Sequence, residues 1–171
     1  SVGSSAQVQL NGGLNIGTLS VSGGATLAVN SPSTVMVGSL ILQSGGTLTG
    51  GQQIDVSAGL TWDAGNIAGT GGSPGDIRLL VGSTSQVTTV VTRQLSERTL
   101  QVDGALNFNG GQILVPNAAT GRIHVGGTGQ LIFNASVGPI GIGCVLAPCT
   151  RELESQGTIR QLGTEQPDLQ L

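Results

Sequence analysis

Tyrosine and lysine do not occur in this chain, and one tryptophan and two phenylalanines are all its aromatic content. A globular core of 171 residues normally uses rings to fill irregular space. A chain almost without them points to a thin core of stacked Val, Leu and Ile. Charge is also scarce, at 9% of residues, all six cations are arginine, and the formal net charge is −3. With no basic patch, nucleic acid is not an expected partner. The apolar runs are far too short to span a bilayer, so no membrane insertion of this segment is expected. Helical spacing is missing over residues 1–143. The chain begins SVGSSAQ, without Met or a signal peptide, and reads as a processed or excised piece of a longer protein with flanking domains.

Glycine and repetition are what the chain does have. Gly supplies 30 residues, without the Gly-X-Y period of collagen. Ala58–Ile67, AGLTWDAGNI, returns 46 residues later as Gly104–Ile113, GALNFNGGQI. Val81–Val87, VGSTSQV, returns as Val125–Leu131, VGGTGQL. Short apolar runs therefore recur in one order, separated by Gly, Ser and Asn, which is the mark of a repeat architecture. The blocks start at Leu19, Leu40, Leu60 and Leu106, with steps of 21, 20 and 46 residues, the last fitting two units. Each block holds three strands of three to six residues bounded by turn formers. Block four is less regular, with strands expected at Val87–Thr92 and Thr99–Val102.

A three-strand unit of this length predicts an all-β, right-handed parallel β-helix of about six coils, occupying residues 1–143. Coils stacked about 4.8 Å apart make a rod roughly 30 Å long. Equivalent side chains then form interior columns, one of Leu19, Leu40, Leu60 and Leu106 and another of Val21, Leu42, Trp62 and Phe108. Gly24, Gly46, Gly65 and Gly111 are expected to stack at one corner, where a positive φ is needed. An Asn11-Gly12-Gly13 turn is expected near the start.

Residues 144–171 differ in composition, carrying Glu152, Glu154, Glu165 and Asp168. They read as a cap over the open end of the rod or as a tail; a solenoid end needs covering against edge-to-edge growth. Thr150–Glu154 is the one helix-like fragment, and Gly157–Leu162 suits a strand. Cys144 and Cys149, in CVLAPC, lack the CxxC spacing and a nearby His, so they do not make a zinc site. They read as a disulfide-closed loop of an exported protein, the alternative being two reduced thiols. No cofactor is expected.

Paired acids are the mark of glycoside cleavage. The candidates on the coils are Asp55, Asp63, Asp76 and Asp103; Asp63 and Asp76 suit turns, and no two of the four share a strand. Arg78 and Arg122 match when Val81 is aligned with Val125, and with the strand residue His124 they form the candidate ligand-binding set on an outer face. Gly69–Asp76, GTGGSPGD, does not keep a calcium-binding nonapeptide pattern and no helix follows it to make a phosphate loop. Asn134-Ala135-Ser136 fits the glycosylation sequon. Thr47-Leu48-Thr49 would suit an ice-binding face, but Thr26-Leu27-Ala28 and Asn66-Ile67-Ala68 break the array.

Leu19–Leu27, LSVSGGATL, and Gly59–Ile67, GLTWDAGNI, resemble the β-strand repeats of bacterial surface and secreted proteins. Autotransporter passengers and filamentous-haemagglutinin-like adhesins are the nearest types, over about residues 8–137. The resemblance implies export, a secreted or cell-surface location and a stalk or adhesive role. Host or matrix carbohydrate, or a surface protein, is the expected partner. A carbohydrate-active β-helix enzyme and an ice-binding solenoid are the alternatives.

Overall fold

Alternating apolar and small polar residues between glycine-rich turns fold into strands. The computed structural model describes residues 7–10, 14–70, 75–88, 91, 93–116, 118–134, 141–145, 148–162 and 168–169, and among these it is all-β with no helix. The Asn11-Gly12-Gly13 turn, residues 71–74 of the Gly69–Asp76 loop, Ala135-Ser136 of the sequon and Glu165 lie outside the described residues. One sheet joins β1 (Gln7–Leu10), β3 (Thr26–Val29), β5 (Thr47–Thr49), β7 (Gly65–Ala68), β10 (Arg93–Ser96), β13 (Gln112–Val115), β16 (Gly141–Cys144) and β19 (Asp168–Leu169), in that order. The other contains β2 (Asn15–Val21), β4 (Val35–Leu42) and β6 (Ile54–Trp62). It continues through β8 (Ile77–Leu79), β9 (Thr84–Val87), β11 (Arg98–Val102), β12 (Ala105–Phe108), β14 (Thr120–Val125), β15 (Gln130–Phe133), β17 (Thr150–Ser155) and β18 (Thr158–Gln161).

Every pairing among the described residues is parallel. Partners lie one circuit of chain apart, as in Leu19 with Leu40 and Leu40 with Leu60, so the fold is a parallel β-solenoid. The larger sheet bends into two faces. Strand β6 pairs with β8 through Ile54–Val56 and with β9 through Thr61–Trp62. Face A carries β8, β11, β14 and β17, and face B carries β9, β12, β15 and β18. The smaller sheet is face C.

The core is a set of columns. Leu19, Leu40, Leu60 and Leu106 are buried on face B, with Ser85 between Leu60 and Leu106. Ser85 belongs there because its Oγ accepts the Leu60 N–H at 2.9 Å, so a hydroxyl in an apolar column is satisfied. Val21, Leu42, Trp62, Val87, Phe108 and Phe133 form the next column, and the Phe108 and Phe133 rings lie 5.1 Å apart. Trp62 is fully buried and its Nε1 donates to the Gly65 carbonyl at 3.2 Å.

Three local expectations are corrected. Val87 closes β9, and Thr88 and Val91 are not strand, so Val87–Thr92 is not one strand; residues 89, 90 and 92 lie outside the described residues. Thr150–Glu154 is strand, not helix: β17 pairs with β14 along Thr120–Val125. The stretch set apart at residue 144 therefore adds another layer of the same strands, with β18 on β15 and β19 on β16. Of the four glycines, Gly46 and Gly65 are stacked, as a Cβ on Gly65 would lie 2.1 Å from the Gly46 oxygen. Gly24 is not in that register, because Thr26 pairs with Thr47 and so sets Ala25 beside Gly46.

Candidate functional site: a charged face and its corner

Face A gathers the charge because its outward positions repeat in register. Met36, Asp55, Arg78, Gln101, His124 and Glu154 are successive register partners. Thr99, Arg122 and Glu152 form the neighbouring column. Arg78 is thus aligned with His124, and Arg122 with Thr99, which corrects the match of Arg78 to Arg122. The slip is two residues, which preserves the in–out alternation and so leaves no trace in the hydrophobic pattern. Outward side chains on the described parts of β3, β5, β7, β10 and β13 carry no charge. On that face Thr26 pairs with Thr47, but Asn66 and then Gln94 follow, so the threonine array breaks off.

The charges on face A are answered in pairs. Arg78 Nε lies 2.6 Å from Asp103 Oδ2, and Gln101 Nε2 donates to Asp103 Oδ1 at 2.8 Å. Burial pushes the Asp103 carboxyl up, but the hydrogen bonds from Gln101 and Arg78 outweigh it and hold Asp103 below the usual carboxylate range. The same contact raises the Arg78 guanidinium, with Asp55 and Asp76 adding to it. A Cβ on Gly126 would come within 2.2 Å of Asp103 Oδ1, so a larger residue there would push that carboxylate aside. Arg122 is bridged to Glu152, and His124 Nδ1 lies 3.0 Å from Glu154 Oε2. The His124 hydrogen bond lowers the Glu154 carboxyl.

Of the candidate acids, Asp103 is paired with Arg78, while Asp55 is the register partner of Arg78 in the adjacent layer and its Oδ1 accepts the Gln53 side-chain amide at 2.7 Å. Asp63 stands apart at the corner between faces B and C, where its Oδ1 accepts the Thr88 hydroxyl at 2.9 Å. Glycoside cleavage needs one carboxyl kept protonated near neutral pH beside an ionised one. Asp103 is shifted the opposite way. Among the described residues no group of three or more His, Cys, Asp or Glu is placed to hold a metal ion.

The corner between faces C and A carries the remaining features. Glu97, at φ 52°, makes the turn between β10 and β11. Its N–H donates to the Thr120 carbonyl and its Oε1 accepts the Thr120 N–H at 2.9 Å, which ties two layers together. Arg98 points inward and is 3% exposed. Its Nη2 donates to the Gly50 and Gln52 carbonyls, each at 2.8 Å. A cavity of about 310 Å³ is lined by Glu97, Arg98, Thr99, Thr120 and Arg122. A second, of about 240 Å³, is lined by Thr120, Pro148, Cys149 and neighbours. Cys144 and Cys149 form a disulfide beside it, and Arg151 Nη1 donates to Cys144 Sγ at 3.3 Å.

Sequence reasoning missed Arg98 and its companion Arg93, which is fully buried. Arg93 donates to the Trp62, Val91 and Asp63 carbonyls, each at 2.7 Å. Desolvation lowers both guanidinium groups to about 10, against the pull of Asp63 on Arg93 and Asp76 on Arg98. The signal was present: in Arg93-Gln94-Leu95 and Arg98-Thr99-Leu100, strict alternation puts the arginine on the same side as the buried leucine. No known protein family, no curated protein and no solved structure matches the chain.

Proposed function

We propose that the chain is a non-enzymatic structural or adhesive segment of an extracellular bacterial surface or secreted protein, wound as a right-handed solenoid. Its charged face A makes weak contacts with carbohydrate or with a surface protein. The observation that carries the reading is the register of face A. On the outward strip Arg78 and Arg122 are each paired with a carboxylate, and His124 lies 3.0 Å from Glu154. A paired strip is specific without being strongly charged, which suits reversible contact. The Cys144–Cys149 disulfide supports export, since such bonds persist in oxidising surroundings.

A second reading, a carbohydrate-active enzyme, draws support from the register that sets Asp55 beside Arg78, itself paired with Asp103. It lacks a carboxyl shifted upward to donate a proton. The test is retention on immobilised glycans and matrix proteins by wild type and by an Arg78→Gln, Arg122→Gln double variant. The reading expects salt-sensitive retention of wild type, reduced at least tenfold in the variant. Absence of retention on every surface would overturn the adhesive role.

A further inference from the structure

The Cys144–Cys149 disulfide is not what holds its two arms to the rod. On one side Cys144 pairs with Val115 at the end of β16, and the Val145 N–H donates to the Val115 carbonyl at 3.0 Å. On the other side the Thr150 N–H donates to the Ala119 carbonyl at 2.9 Å, and the Pro148 carbonyl accepts the Ala118 N–H at 2.6 Å. Both arms are thus tied to the layer below by backbone bonds that need no sulfur. The disulfide spans a sequence separation of only 5, so it removes little entropy from the unfolded chain. The two Cα atoms lie 6.1 Å apart and are fixed by those bonds, so thiols opened here remain within bonding reach.

The two sulfurs have different surroundings. Alternation along β17 puts Glu152 and Glu154 outward, where Arg122 and His124 meet them, and sets Arg151 on the side of Leu153. There Arg151 is half-buried, and its Nη1 donates to Cys144 Sγ at 3.3 Å, the one polar partner of its side chain among the described residues. A guanidinium in that place stabilises a thiolate far more than a neutral sulfur. Cys149 is also half-buried, and it lines the cavity of about 240 Å³ with Ala118, Ala119, Thr120, Pro148 and Thr150. We propose that Cys149 is a site of reversible covalent attachment for a small thiol, with Cys144 as the displaced sulfur and Arg151 holding its thiolate. The incoming thiolate attacks Cys149 Sγ, the Cys149–Cys144 bond breaks, and its electron pair goes to Cys144 Sγ. One disulfide replaces another, so no oxidant or reductant besides the thiol is consumed. A sulfur whose anion is stabilised leaves faster, which directs the attack to Cys149. The return of Cys144 on to the mixed disulfide is open because both arms stay tied to the layer below. The site lies apart from the face A pairs, so it stands or falls independently of the adhesive role.

The test is incubation of the whole oxidised chain with reduced glutathione at neutral pH, followed by trapping of free thiols with iodoacetamide and assignment of both cysteines by tandem mass spectrometry. Glutathione is expected on Cys149 and the alkyl group on Cys144, with about a tenfold excess over the opposite arrangement, as one charge-assisted hydrogen bond supplies. Arg151→Gln should slow the opening by about the same factor and bring the two arrangements level. A merely structural role would not move that ratio. Because Arg151 is half-buried and its variant is at risk of misfolding, amide hydrogen exchange of the wild-type chain is the second measurement. Protection of the Val145 and Thr150 amides should be the same in oxidised and fully reduced protein. Glutathione found mainly on Cys144, or no mixed disulfide until denaturant is added, would overturn the proposal. So would an unchanged ratio in folded Arg151→Gln, or loss of Val145 and Thr150 protection on reduction.

Discussion

Replacing Arg93 by Met tests whether an interior arginine is a stabilising clamp or a tolerated cost. Met keeps most of the apolar stem and removes the guanidinium. Three hydrogen bonds to the Trp62, Val91 and Asp63 carbonyls are lost. At the lower range for charge-assisted bonds they contribute together about 5 kcal/mol. Against this, the variant no longer buries a charge. The lowering of Arg93 to about 10 by desolvation corresponds to roughly 3 kcal/mol at neutral pH. The net expectation is a loss of about 2 kcal/mol, or about 4–8 °C in Tm for a chain of this size. Trp62 is the one tryptophan, and its own carbonyl accepts the Arg93 Nε, so its fluorescence reports unfolding at the site of change. A Tm equal to or above wild type would refute the reasoning. It would place Arg93 with buried ionic groups that an apolar residue replaces without loss.

The remaining predictions use the same columns and corners. Leu60→Asp places a charge between Leu40 and Ser85, and should cost more than about 4 kcal/mol and abolish a cooperative melt. Retention of a near-wild-type transition would contradict the inward position of Leu60. Gly65→Ala forces a side chain on to a residue at φ 99° and within 2.1 Å of the Gly46 oxygen, with an expected loss of roughly 3 kcal/mol by urea denaturation. Asp103→Asn should destabilise by about 1–3 kcal/mol at pH 7. Because the folded carboxyl titrates below its unfolded value, its contribution is complete above about pH 4 and is lost as pH falls through the folded value. The gap between wild type and Asp103→Asn should therefore close in acid. A constant gap from pH 7 to pH 2 would sever Asp103 from the face A pairs.

The architecture was legible because it follows from local chemistry. Period-2 alternation between glycine-rich turns set Leu40 and Leu60, or Leu42 and Trp62, one circuit apart, and parallel stacking followed. What was not legible depends on register and on long-range partners. A slip of two residues keeps every apolar side chain inside, so Arg78 was matched to Arg122 when its column contains Gln101 and His124. Ser85 was overlooked as a column member because its partner, the Leu60 N–H, is 25 residues away. Arg93 and Arg98 were not singled out, although their alternation put them inside, because charge is normally excluded from a core. Residues 144–171 read as a cap or a tail because their composition differs from that of the coils. The outward positions of Thr150–Glu154 face Arg122 and His124, and that pairing is what Glu152 and Glu154 serve.

The most direct test of contact without cleavage is the chain length of a retained polysaccharide after prolonged incubation with the protein at neutral pH. The account predicts a bound polymer of unchanged length, with no new reducing or unsaturated ends. Progressive shortening that vanishes in Asp55→Asn or Asp76→Asn would contradict it, and would make the acids around Arg78 a catalytic centre.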